Sequence, residues 1–246
     1  MALAVTAVAI AVALLVEVPL LVQVIGPKLG DDFRFYREIG ERWVTGGPVY
    51  LPHQLAGPYE VTLQVDNLYP PFALLLFVPF VWLPSVLWWA IPIGLVGYAI
   101  WSWKPAWWAI PLIALVLAWP KTLSSVLWGN FDMWMMAFVA AGLCWRWPAV
   151  FLAFKPSLAL FGLIGVRDWR FWAVGIGLVV VSLPLLFEYV TAMRNVSIPL
   201  DYSLGSVPML LLPIVAWLGR RRVDALEISG AGPEGPPGTA AARPGS

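Results

Sequence analysis

Two adjacent aspartates, Asp31 and Asp32, open the most charged stretch of a chain that is otherwise nearly all hydrocarbon, GDDFRFYREIGERWVTGGPVY at residues 30–50. An aspartate ahead of a helical pattern is a preferred N-cap, and its charge suits the helix dipole. One acid suffices for that, and Asp31 is the better placed. Asp32 begins the same face as Phe35, Tyr36, Ile39 and Trp43, where a cap has no use and a carboxylate is free for other chemistry. The pair alone holds a divalent ion only weakly, because hard cations need more oxygen ligands than two neighbours supply. No metal is expected.

Other polar residues stand out by their apolar surroundings. Lys155 lies inside LAFKPSLALFGL, where a central lysine costs about 2.5–3.5 kcal/mol on insertion scales. That cost points to a role, to snorkelling, or to pairing with Glu17 or Asp132. Arg194 falls in a late loop, 188–206. Asn130 and Asp132, in LWGNFDMWMM, are either contacts for a polar ligand or caps of the following helix. Tyr36, Tyr50 and Tyr69 could line a site or anchor at an interface. His53, the single histidine, reads as a solvated loop residue or a proton donor.

The elements that must hold these residues are membrane spans. The 246 residues are 61% hydrophobic and 12% charged, far from soluble composition. The net charge of +1 gives no case for nucleic acid, and one cysteine, Cys144, builds no disulfide framework or metal site. Apolar segments recur at roughly 2–26, 70–83, 85–102, 106–119, 131–145, 148–165, 170–187 and 207–219. The first lacks the basic start and short core of a signal peptide and reads as a retained helix. Trp with Pro or a base marks the breaks: WLPS, SWKPAWW, WPKT, WRWP and RDWRFW. The 16 tryptophans are therefore read mostly as headgroup anchors.

The expected fold is all-α, a polytopic transmembrane helical bundle of about eight spans. Residues 1–219 form a single transmembrane domain, and 220–246 a basic cluster with a disordered tail. The first large loop, 26–69, carries a helix from Asp32 to Trp43, lying on the bilayer with its aromatic side down and its charged side up. Arg34–Glu38, Arg37–Glu41 and Glu38–Arg42 are spaced i,i+4 along it, and Gly46-Gly47-Pro48 stops it. The lysine and arginine count is tied between the two sides, while the Arg220–Arg222 cluster favours a cytoplasmic C-terminus.

The ordered set of motifs resembles glycosyltransferase family 87, the polyprenyl-phosphate-mannose-dependent α-mannosyltransferases of the membrane-embedded GT-C class. The residues that carry the resemblance are Asp32-Phe33-Arg34-Phe35-Tyr36, Gly46-Gly47-Pro48-Val49-Tyr50, Tyr69-Pro70-Pro71 and Lys155-Pro156, with a weaker match at Asp201-Tyr202-Ser203-Leu204. Gly129-Asn130-Phe131-Asp132 stands where the family usually has Gly-Gln-x-Asn, and the chain is shorter than typical members.

The resemblance implies a GT-C-like hexosyltransferase of the cell membrane. It would move a sugar, most simply mannose, from a polyprenyl-phosphate donor to a hydroxyl of a glycolipid, glycan or protein. The first loop would then lie outside the cytoplasm. It implies Asp32 as the base, with Asp31 beside it as cap. Lys155 and Arg194 would bind the donor phosphate. Tyr36, Tyr69, Asn130 and Asp132 would contact the sugar, with no cofactor. Two other classes remain open. One is a non-catalytic or partner-dependent membrane protein of the same fold. The other is a small-molecule transporter using Glu17 and Lys155.

Overall fold

The computed structural model describes residues 28–197 and 205–220, with four isolated positions, 8, 11, 12 and 15, nearer the N-terminus. The expected first span with Glu17, the Asp201–Leu204 element and the tail beyond Arg220 lie outside the described residues.

The first described helix, α1, runs Asp31–Val44. It begins at Gly30, not at an aspartate cap, and no side chain caps it. It ends where the Thr45 hydroxyl donates back to the Glu41 carbonyl at 2.9 Å and the Gly47 amide to Arg42 at 2.7 Å. The spacing predicted its buried face: Asp32, Phe35, Tyr36 and Ile39 are buried, joined by Phe33 and Gly40. That face packs on protein, not on a bilayer. A Cβ on Gly40 would stand 3.2 Å from the Phe77 carbonyl oxygen, so backbone meets backbone there. Trp43, expected on the same face, is exposed.

After α2 (Pro52–Ala56) and strand β1 (Tyr59–Glu60), the expected span at 70–83 is a short apolar stack. It comprises a 3-10 turn at Pro71–Ala73, α3 (Leu74–Phe77) and a second 3-10 turn at Val78–Val81. Then comes α4 (Val86–Trp103), which matches the expected 85–102. The helices α5 (Ala109–Leu117) and α6 (Pro120–Trp128) form a pair bent by 53°. Pro120 causes the break: it drives Trp119 into extended backbone, ψ 126°, and its ring begins a new helix. By composition 120–130 reads as a break, whereas the structure forms the α6 helix there.

The fold centres on α7 (Asp132–Trp145), buried from Asp132 through Gly142. The expected span at 148–165 is instead two 3-10 helices, Trp147–Phe154 and Pro156–Ile164, parted at Lys155 by extended backbone. A long helix, α8 (Trp169–Asn195), follows. Its N-cap Asp168 accepts the Arg170 amide at 3.0 Å. Strand β2 (Val196–Ser197) pairs in parallel with β1 through Tyr59–Val196 and Glu60–Ser197. This small sheet ties the first loop to the end of α8. Last comes α9 (Val207–Leu218), packed on α7 and α5.

Among the described residues, α4 and α8 are long and apolar enough to cross a membrane, and the bent α5–α6 pair makes a third if it forms one span. At about 1.5 Å per residue, the 27 residues of α8 are ample. Its Ile176, Val179, Val180, Val181, Leu183 and Phe187 are exposed, the mark of a lipid-facing helix. The chain has the character of a helical membrane protein.

Candidate functional site

The site is assembled at the junction of α6 and α7. Two indoles of α4 grip the end of α6: Trp89 Nε1 donates to the Val126 carbonyl at 2.6 Å and Trp88 Nε1 to the Gly129 carbonyl at 2.8 Å. Gly129 turns the chain with φ 69°, and the Asn130 amide returns to the Ser125 carbonyl at 2.7 Å. A Cβ at Gly129 would lie 2.8 Å from Trp89 and 2.9 Å from Phe33, so only glycine fits. The Gly30 amide donates to the Leu127 carbonyl at 3.0 Å, setting the start of α1 against the end of α6.

This places Asn130 beside Asp32. Asn130 Nδ2 donates to Asp32 Oδ2 at 2.6 Å, while its Oδ1 accepts the Asp132 amide at 2.9 Å. Asn130 thus both caps the next helix and holds the buried carboxylate of α1. Gln64 Nε2 donates to Asp32 Oδ1 at 3.2 Å, from a backbone at φ 62°. An ionised carboxylate has about four lone-pair positions, so two donors leave Asp32 able to accept another proton or hydrogen bond.

On the other side of Asn130, Asp132 is 1% exposed. Its Oδ1 meets Lys155 Nζ at 2.5 Å and its Oδ2 accepts the Ser206 hydroxyl. Lys155 sits in the extended break between the 3-10 helices, and the helical span expected around it is absent. Of the pairings foreseen for it, the one with Asp132 forms. An isolated buried charge is costly unless paired and hydrogen-bonded, and here both partners meet that condition.

These groups line one cavity of about 420 Å³. Asp32, Tyr36, Tyr69, Asn130, Asp132 and Lys155 all face it. Six predicted site residues, from four separate segments, therefore converge. The Tyr36 and Tyr69 hydroxyls lie 3.1 Å apart, and the Phe131 amide donates to Tyr36 Oη at 3.3 Å. Burial, then the neighbouring Tyr69 and the Asp32 carboxylate, push the Tyr36 hydroxyl well above the ordinary tyrosine range. It stays protonated. Tyr50 lies behind this wall, donating to the Tyr69 carbonyl at 2.7 Å.

Two predicted residues stand apart. Asp31 does not cap α1; its carboxylate meets the Arg34 guanidinium one turn on, near the surface. Arg194 is exposed in the last turn of α8 and is not part of the cavity wall. His53, read as a solvated loop residue, instead meets the buried Asp66 at 2.7 Å, whose other oxygen accepts the Thr62 amide. Asp66 faces the cavity too.

Sequence reasoning missed Gln64, Asp66, Lys121, Trp128 and Ser206. By its neighbours, Lys121 reads only as a basic companion to interfacial tryptophan. Gln64 and Ser206 carry no local pattern, and only the fold brings them here. Among the described residues no three His, Cys, Asp or Glu side chains converge as a metal site. No family model, curated protein or solved structure matches the chain.

Proposed function

We propose that the chain is a membrane-embedded hexosyltransferase. It moves a sugar, most simply mannose, from a polyprenyl-phosphate donor to an acceptor hydroxyl. The observation that carries this reading is the buried carboxylate of Asp32, held by Asn130 and Gln64 in a cavity that also contains two lysines. Proton acceptor and cations share one wall, beside helices suited to lipid.

The reaction needs both. As the acceptor oxygen bonds to the anomeric carbon, its proton passes to Asp32, and the bond from that carbon to the phosphate oxygen breaks. Base catalysis of this kind is typically worth about 10²–10⁴ in rate. The pair of electrons leaves with the lipid phosphate, and a cation fixed on the cavity wall stabilises the charge. Asn130 and Gln64 orient the base. The half-buried ring of Tyr69 offers a sugar ring an aromatic contact, and Tyr36, stacked on Phe77, supports it from behind.

The test is direct. Membranes containing the chain receive radiolabelled polyprenyl-phosphate-mannose and a mixed glycolipid and glycan extract. Label moving to the acceptor fraction, and none moving from a nucleotide sugar, is the expected result. No transfer from a folded chain contradicts the reading and leaves the partner-dependent or transporter classes.

A further inference from the structure

We infer that the cavity receives the phosphate of a membrane lipid monophosphate at Lys121, on the break between α5 and α6, and not at Lys155. The inference rests on the hexosyltransferase reading for the identity of the lipid, and its test separates the two.

Five charged side chains face the cavity: Asp32, Asp66, Asp132, Lys121 and Lys155. Asp66 is engaged by His53. Asp132 and Lys155 neutralise each other at 2.5 Å in a buried setting. Lys155 could give a phosphate its full charge only by leaving a carboxylate that is 1% exposed, held otherwise by the Ser206 hydroxyl. Breaking such a pair strands a buried charge. Lys155 is a strut joining α7 to the two 3-10 helices.

Lys121 is differently placed. It is the second residue of α6, half-buried, with its ammonium 5.9 Å from the centre of the Trp128 ring. No carboxylate among the described residues lies within 4.0 Å of it. Trp128 shares the cavity wall, and its indole Nε1 is buried without a hydrogen-bond partner. Thr122 Oγ1 and Ser125 Oγ, six and three residues before Trp128, are also buried without partners. A short helix with so many unanswered polar atoms is unusual, because buried polar groups are nearly always paired. An ammonium and an indole N–H are both donors, and an anion with several acceptor oxygens answers both.

The route to this point is apolar. Ile110, Leu112, Leu115 and Leu117 of α5 are exposed, as is Trp119 at the break. They lead along the helix to Lys121, where the 53° bend turns the chain toward the cavity. A long isoprenoid tail lying along α5 brings its phosphate to Lys121 while the attached sugar enters toward Asn130 and Asp32. A free phosphate shares the headgroup chemistry but has no use for that apolar surface.

The experiment measures binding of three probes to the purified full chain in detergent: a polyprenyl monophosphate, the matching polyprenol, and inorganic phosphate. Lys121→Gln is expected to weaken lipid monophosphate binding about tenfold or more, the scale of one lost charge-assisted contact, with polyprenol binding unchanged. Lys121→Arg should hold within about threefold, since it keeps the charge. Trp128→Phe keeps an aromatic face, removes the N–H, and should show a smaller loss. Arg194→Gln should bind as the unaltered chain does. Equal lipid monophosphate affinity in Lys121→Gln overturns the inference, as does a chain that binds no lipid monophosphate. Inorganic phosphate binding as tightly as the lipid overturns the lipid assignment.

The two readings fail separately. Lys121-dependent binding with no sugar transfer keeps the site and removes the hexosyltransferase. Transfer that proceeds in Lys121→Gln with unchanged donor KM keeps the enzyme and removes the site.

Discussion

Asn130 donates to Asp32 at 2.6 Å across 98 residues of sequence. Its Oδ1 accepts the backbone amide of Asp132, so one side chain links the first-loop carboxylate to the residue that forms the buried ion pair of α7. Asn130 is therefore the keystone of the cavity. Asn130→Ala removes both bonds, leaves Asp32 with Gln64 alone, and should lower the transfer rate by at least about tenfold. Asn130→Asp places a second carboxylate against Asp32 and should be worse than alanine, because like charges sharing a site resist ionising together. Comparing kcat for the two variants checks the order.

The Asp132–Lys155 pair is buried at 1% and 11% side-chain exposure. Lys155→Met strands Asp132 and should destabilise the fold by about 3–5 kcal/mol. The double change Asp132→Leu with Lys155→Met removes both charges and should recover most of that loss. Denaturant unfolding in detergent, followed by helix content, measures the recovery. A double variant as weak as the single one would contradict the strut role.

Gln64 holds Asp32 from a left-handed backbone at φ 62°. Gln64→Ala and Gln64→Gly delete the same hydrogen bond, but only glycine relieves the backbone, by about 1–2 kcal/mol. The glycine variant should therefore be the more stable of the two while both show equally reduced transfer. Equal stabilities would mean that the loop is unstrained.

Gly129 has no room for a side chain: Trp89 and Phe33 would stand 2.8 Å and 2.9 Å from an added Cβ. Gly129→Ala should cost more than about 2 kcal/mol from the positive φ and the clash together. It should also reduce transfer by shifting Asn130. Its neighbour Leu127→Ala provides the comparison, since it changes packing without moving the turn.

Tyr36 keeps its proton in the fold beyond the pH, about 10, at which an unfolded tyrosine ionises. Burial is the main cause, and Tyr50 is raised by burial in the same way. Above about pH 10 the folded chain therefore binds more protons than the unfolded one, and stability falls with rising pH. Below that the contribution is complete and flat. Thermal unfolding between pH 8 and 11 should show no decline from this source until about pH 10. Tyr36→Phe should make the alkaline decline shallower.

The sequence made part of this legible, and for identifiable reasons. The helix bearing Asp32 could be read from the spacing of Phe35, Tyr36 and Ile39, because one buried stripe at 3.6 residues is a local signal. Asn130, Asp132 and Lys155 drew notice because polar groups amid hydrocarbon need a reason to be there. What faced the stripe was not legible. In a membrane chain, lipid and protein both welcome aromatic rings, so Phe33 and Tyr36 gave no sign that they pack on Trp88 and Phe77 instead of a bilayer. Lys155 looked helical because LAFKPSLALFGL is apolar throughout, yet Pro156 holds its predecessor extended. Gln64 and Ser206 depend on the crossing of distant segments, which no local pattern encodes. Lys121 was hidden by its own neighbourhood, where Trp119 and Pro120 mimic an interfacial break.

The measurement that bears most directly on the base compares sugar transfer by the unaltered chain, Asp32→Asn and Asp31→Asn in the same membranes, each matched for folded protein. Asp32→Asn keeps an acceptor oxygen but cannot take the proton; Asp31 lies outside the cavity wall and is paired with Arg34. The expected result is transfer reduced about 10²–10⁴-fold in Asp32→Asn and near normal in Asp31→Asn. Full transfer in Asp32→Asn, with the chain folded, would contradict the assignment of Asp32 as the base.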